Sequence, residues 1–419
     1  MNRSTDRILT THSGSLVRTV PLIEAMRDRT LGKPMDEAAF QATVSSGVVQ
    51  VVRRQAQAGI DIPNDGEYPR HDFRTYIGER IVGLQRHEIK QGEDNPFDHM
   101  RGPKGEWEQF PGFYSQYYAA AQFSWLPVEV DMSEIAALRS KRGFNKVVVY
   151  QLVGPISYDD TAVKRDIANL RAALDGLDVA DAFISAVTPT NMTRADLNVL
   201  DFYPSMEAYQ YALADVMREE YKAITDAGFL LQLDRPAQDP AYQLEDDKEI
   251  IKALDAAIEI ENYALRGIPA ERVRLHWCGG SSNRPHINNT PMGTVARTML
   301  KLNVGAYGFE AASPRHEHEF QIWQDIKLPD GKIIVPGLIT QSTNVVEHPE
   351  LIAWRIKNFT QHVGRENLIA GVDCGFSQGW DHPRTHSDVQ WAKLHALAEG
   401  AALASADLWK TPTAAATAS

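Results

Sequence analysis

Short apolar runs closed by Gly, Pro, Asp or Glu recur along this chain with helical patterns between them, and that alternation restricts the fold more than any other feature. The runs are Ile8–Thr11, Ile60–Asn64, Lys146–Val153, Phe229–Asp234, Val273–Cys278, Ala306–Glu310, Ile333–Gly337 and Leu368–Cys374. Runs of this length, bounded by turn residues, read as buried strands. Between them, the stretch from about Ser205 to Ala227 puts Met206, Tyr209, Leu213, Val216, Met217 and Ile224 on one helical stripe. Ser205 is placed to cap its start and Gly228 to end it. A second stripe runs from Asp247 to Leu265 and closes at Gly267-Ile268-Pro269. Strands alternating with helices imply a parallel sheet, and eight of them favour a closed (β/α)8 TIM barrel over an open sheet.

A length of 419 residues accommodates one such barrel as a single domain, residues 1–410, with room for insertions. The rhythm breaks twice. Residues 70–140 form a long insertion after the second strand, in which Trp107, Phe110, Phe113, Tyr114, Tyr117, Tyr118, Phe123 and Trp125 crowd together. That cluster admits two readings: a local mini-core or self-association contact, giving a homo-oligomer, or a lid over the barrel mouth. A second interruption, near Val179 to Thr190, holds an apolar run not counted among the barrel strands. The tail 411–419 is rich in Thr and Ala and is expected to be disordered.

The net charge of −12 disfavours general nucleic-acid binding. No run of 18 apolar residues suggests a membrane-spanning helix, and the N-terminus lacks the apolar stretch of a secretory signal. Two cysteines cannot make a disulfide framework, so a reducing, cytoplasmic setting is expected. No Gly-x-Gly-x-x-Gly follows a strand and no Walker motif occurs, which argues against nucleotide binding.

Barrel enzymes place chemistry at the C-terminal ends of their strands. Those ends carry Ser13 and Ser15, Glu67, Asp234, His276 with Cys278, Glu310, and Asp373 with Cys374. His276 and Cys278 are two residues apart on a strand and so share a face. With Glu310 and Cys374 they make a soft-to-borderline set suited to Zn²⁺, unlike the all-cysteine or paired cysteine–histidine sets of ordinary structural zinc fingers. His316 and His318 are rival ligands. A site with two thiolates and a carboxylate is electron-rich, which favours keeping a bound thiol nucleophilic; a three-histidine site would favour making hydroxide for hydrolysis.

These segments resemble the cobalamin-independent methionine synthase family, in its short single-barrel branch. The matching pieces are Thr11-His12-Ser13-Gly14-Ser15, Asp65-Gly66-Glu67, Gly154-Pro155, Gln232-Leu233-Asp234-Arg235-Pro236-Ala237, His276-Trp277-Cys278, Phe309-Glu310-Ala311, Pro336-Gly337 and Asp373-Cys374-Gly375. The resemblance implies zinc held by His276, Cys278, Glu310 and Cys374, and transfer of a methyl or other alkyl group to a thiol such as homocysteine. It also implies that Ser13, Ser15, Glu67 and Asp234 hold the amino-acid part of the thiol, with Asp234 pairing to the ammonium group and Glu67 assisting. The partners expected are a small-molecule thiol and an alkyl donor: a methylfolate, a methylcorrinoid or an epoxide.

The chain departs from the family pattern in places. Arg235 stands where the family has Glu, Ser342 falls near the family's catalytic histidine, and Gly154-Pro155 lacks the following tryptophan of the folate site. The chain is also similar to the epoxyalkane:coenzyme M transferases, in which a zinc-bound thiol opens an epoxide; Arg235 could then grip a sulfonate. Tyr68, His71, His316 and His318 are the candidate proton donors for that reaction. Two rivals from other classes are a metal-free, decarboxylase-type barrel and a non-enzymatic zinc- or thiol-binding protein.

Overall fold

The computed structural model describes residues 1–73, 75–88, 106–121, 125–142, 148–192, 197–236, 246–280, 283–287 and 289–410. Its strands are β1 (Leu9–Thr10), β2 (Ile81–Glu88), β3 (Val148–Tyr158), β4 (Phe183–Val187), β5 (Leu230–Arg235), β6 (Val273–Trp277), β7 (Ala306–Phe309), β8 (Ile333–Ile339) and β9 (Ile369–Val372). Seven of them form one parallel sheet in the order β1-β9-β8-β7-β6-β5-β4. Residues 62–64 close the ring: Thr11 bridges Ile62 and Asn64 bridges Phe183, both in parallel. Pro63 has no N–H to give, so this eighth stave bonds through isolated bridges instead of a full ladder. The expected TIM barrel is present, with eight staves.

One stave differs from the sequence expectation. The apolar pattern puts Lys146–Val153 in the ring, whereas β3 pairs antiparallel with β2 in a hairpin outside it. The run near Val179–Thr190, not counted among the barrel strands, supplies the true stave, β4. Burial separates the two. Phe183–Val187 is buried at every position, as a stave covered on both faces must be, while β3 exposes Val153, Pro155 and Ser157 on one side. The insertion therefore continues past residue 140 and includes the hairpin.

Alternation along the staves sorts the interior into layers. Leu9, Ile62, Phe183, Leu230, Ala306, Ile333, Val335 and Ile369 form an apolar core of their own inside the ring. A larger cluster lies between staves and helices, where Tyr209, Leu213, Met217 and Ile224 pack from the helix Met206–Asp226. Ser205 caps that helix, accepting from the Ala208 N–H at 3.1 Å. The second expected helix runs Asp247–Ala264, capped by Asp246.

In the insertion, Phe113 stacks on Tyr117 at 5.1 Å and Tyr114 is buried, its hydroxyl bonded to Glu106. Phe110, Phe113 and Trp125 remain exposed. Phe123 and the side chains of Trp107 and Tyr118 lie outside the described residues, as does the tail 411–419. Among the described residues no helix is long and apolar enough to cross a membrane.

Candidate metal centre and thiol site

Above the apolar floor the same faces turn polar. Arg274, two residues before His276, lies over the Phe183 ring at 3.6 Å. It donates to Gln232 Oε1, Thr11 Oγ1 and the His12 carbonyl at 2.6–2.9 Å. Gln232, two before Asp234, donates from Nε2 to Asp234 Oδ1 at 2.7 Å and to the Ser13 carbonyl at 2.8 Å. Alternation thus stacks Gln232 under Asp234 and Arg274 under His276. Sequence reasoning passed over Gln232 and Arg274, although the spacing of two could have found both.

At the strand ends His276, Cys278 and Cys374 converge, with one donor atom from each lying within 4.8 Å of the others, and all three residues are buried. The two sulfur atoms are 3.3 Å apart, and Glu310 Oε1 is 3.5 Å from Cys278 Sγ. His276 Nε2 is buried with no hydrogen-bond partner. Buried polar atoms are nearly always paired, so an imidazole with one unpartnered nitrogen, packed with two sulfurs and a carboxylate, fits a metal's coordination sphere. The electrostatics agree. The Cys374 thiol, His276 and the Gly280 N–H beside Cys278 hold its thiol well below the ordinary range, against burial. Its neighbour Cys374 is pushed up, by Cys278 first and by burial second. Burial lowers the His276 imidazole, but Cys278 and Asp234 beside it win and its affinity for a proton rises.

A second group of carboxylates stands next to this cluster. Burial raises Glu67 to about 7, helped by repulsion from Asp234. Asp234 rises to about 6, again by burial, with His276 and Gln232 opposing. Glu67 takes the uncommon left-handed backbone at φ 58° and receives the Ser185 hydroxyl at 3.0 Å. Its carboxylate fits only because residue 14 is glycine: a Cβ there would lie 2.5 Å from Glu67 Oε1, and φ is +121°. Ser13 gives its hydroxyl to the Val372 carbonyl at 2.6 Å, and the Ser15 carbonyl accepts from the Phe376 N–H at 2.8 Å. Both serines therefore flank the segment that carries Cys374.

Other expectations are redirected. Arg235 alternates away from Asp234; it is fully buried, ion-paired to Glu261 and lies over the Trp277 ring at 5.0 Å. The guanidinium expected to hold a thiol's sulfonate is thus committed to the layer outside the ring, and the coenzyme M reading loses its anchor. His316 faces Glu319 at 2.7 Å and Asn289 at 3.1 Å, and His318 is exposed, so neither joins the sulfur cluster. Tyr68 donates its hydroxyl to the Val17 carbonyl and His71 receives the Trp380 N–H.

A ring of parallel staves with two cysteines, a histidine and a glutamate gathered at its carboxyl ends defines a barrel with a sulfur-rich candidate metal centre. The catalytic-domain model described as cobalamin-independent synthase matches residues 186–393, about half of the chain, and supports the resemblance to the cobalamin-independent methionine synthase family. Among curated relatives, a methionine synthase of Sulfurisphaera tokodaii is 24% identical over 372 residues, 87% of this chain and 85% of that one. The uncharacterized protein YxjH of Bacillus subtilis is 23% identical over 394 residues, 91% of each chain. A solved B12-independent methionine synthase from Shewanella sp. W3-18-1, in complex with selenomethionine, superposes with a TM-score of 0.67 at 19% identity. That superposition covers 96% of this chain and 99% of the other.

Proposed function

We propose that this protein is a zinc-dependent methyltransferase whose acceptor is homocysteine or a closely similar amino-thiol. The reading is carried by one observation: sulfur atoms 96 residues apart in sequence meet at 3.3 Å beside the buried His276 imidazole. The relatives' names agree with it. His276, Cys278, Glu310 and Cys374 would hold the ion. Zinc, when bound, lowers a thiol's pKa from about 8.5 so that thiolate is available at neutral pH.

The chain's own residues do the rest. Glu67 and Asp234 are crowded and buried, and the buried Arg70 beside both does not offset burial and their mutual repulsion, so an ammonium group placed between them relieves that repulsion and restores both to the ionised form. That interaction fixes the amino-acid end, and the short reach from ammonium to sulfur directs the thiol toward the cysteines. Ser13 and Ser15 shape the floor on which the carboxylate end rests. The sulfur gains a methyl group that the donor loses.

Metal analysis of the purified protein, wild type and Cys278→Ser, tests the first part; about one zinc per chain, lost in the variant, is expected. A cobalt-substituted sample titrated with homocysteine, coenzyme M and glutathione tests the second. Only homocysteine should alter the spectrum and, with a methyl donor, yield methionine by mass. Full activity in metal-free protein would overturn the proposal.

A further inference from the structure

Asp373 lies just past the end of β9, directly before Cys374, and is fully buried. Its side chain does not stay on its own stave. Oδ1 accepts the backbone N–H groups of Ala311 at 2.8 Å and Ala312 at 2.9 Å, the two residues that follow Glu310 beyond β7. β7 and β9 are not neighbours, because β8 runs between them. The carboxylate reaches across only because β8 carries glycine at the crossing. A Cβ on Gly337 would lie 2.1 Å from Asp373 Oδ1 and 2.6 Å from its Cα. The same crossing coincides with the irregular register between β8 and β9 at Gly337/Ile339. Beside it, Gln341 accepts the Cys374 N–H at 3.1 Å.

We infer that Asp373 is a positioning residue, a strut laid over β8 that fixes the spacing between the Glu310 and Cys374 donors and so sets the affinity of the metal centre. The inference rests on the metal reading proposed above. The reasoning is geometric. Glu310 and Cys374 enter the site from staves that share no hydrogen bond. Each is one residue from an atom of the strut: Ala311 N on one side, the Asp373 backbone on the other. Two N–H donors converging on one carboxyl oxygen make a stiffer joint than a single contact. Supporting residues of this kind typically change metal affinity by about 10–100-fold when removed.

The test uses the whole chain, with zinc affinity measured by competition against a chromophoric chelator and the thermal midpoint of the metal-free form measured alongside. Asp373→Ala should weaken zinc binding about 10–100-fold. Asp373→Asn, whose amide oxygen still accepts both N–H groups, should recover most of that loss. Gly337→Ala, which blocks the crossing while leaving residue 373 an aspartate, should reproduce the alanine phenotype. A merely structural role would lower the metal-free midpoint in Asp373→Ala and leave the affinity of the folded fraction unchanged, and that result overturns the inference. If Asp373→Ala does not fold, the asparagine and Gly337→Ala pair decides: equal affinity in both overturns the strut, a weaker Gly337→Ala supports it. Wild-type protein that binds no zinc would instead sink the proposed function itself, and the strut with it.

Discussion

Glu67 is ionised at a cost, and replacing it should make the metal-free protein more stable in mildly alkaline solution while impairing amine recognition. Burial first and Asp234 second raise its carboxyl from 4.5 to about 7. Below pH 4.5 the group is protonated in both folded and unfolded chains, so it contributes no slope. Between 4.5 and about 7 the folded chain retains a proton that the unfolded chain has released, so stability falls as pH rises through that window. At about 1.36 kcal/mol per pKa unit the full penalty above the window is about 3 kcal/mol. Glu67→Gln removes the charge while its amide oxygen can still accept from Ser185, so it should recover that amount. For a chain of this size about 3 kcal/mol corresponds to about 3 °C in the midpoint. The assay is thermal unfolding of metal-free wild type and variant at several pH values from about 5 to about 8, the span of the titration. The two midpoints should approach one another at the acid end and separate at the alkaline end, with the variant higher. Superimposable profiles would show that Glu67 carries no such penalty, and the account of a strained carboxylate pair awaiting a cation would fail.

Two further substitutions probe different layers. Arg235→Met removes the cation paired with the buried Glu261 and should cost about 3–5 kcal/mol in urea unfolding while leaving zinc content unchanged; loss of zinc would mean Arg235 faces the site after all. Gly14→Ala forces a Cβ against Glu67 at a backbone angle that suits glycine, which should cost about 1–3 kcal/mol. It should also weaken homocysteine binding to cobalt-substituted protein, and unaltered binding would show that the Glu67 carboxylate is not where recognition occurs.

The barrel was legible because its period is simple: apolar runs, helical stripes and capping residues all point the same way, and Ser205 caps where it should. The misassigned stave shows the limit. Lys146–Val153 and Phe183–Val187 are both short and apolar, and only tertiary cover separates a run buried on both faces from one with an exposed side. Tyr150-Gln151-Leu152 held the clue, since a polar residue between apolar ones marks a strand with one wet face. The convergence of His276, Cys278 and Cys374 was legible from residue type and spacing. The strut was not. Asp373 looked like one more polar strand end, because its partners are backbone N–H groups two staves away, and no sequence pattern records which carbonyls and amides a carboxylate will meet.

Charge explains how so acidic a mouth coexists with a folded barrel. Glu67, Asp234, Glu310 and two sulfurs share a buried space, and the cation directly below them, Arg274, is held by neutral oxygens. Burial lowers that guanidinium to about 9, with Asp234 pulling it back up. Arg274 therefore keeps a charge not cancelled by a partnered carboxylate, one layer beneath the anions. A direct ion pair there would have neutralised it and left the mouth to repel itself. The consequence is a gradient from apolar floor to cation to anions, along which an ammonium group and a divalent ion are drawn to the same end of the barrel. That gradient, more than any single contact, favours a thiol that carries an ammonium group over one that carries none.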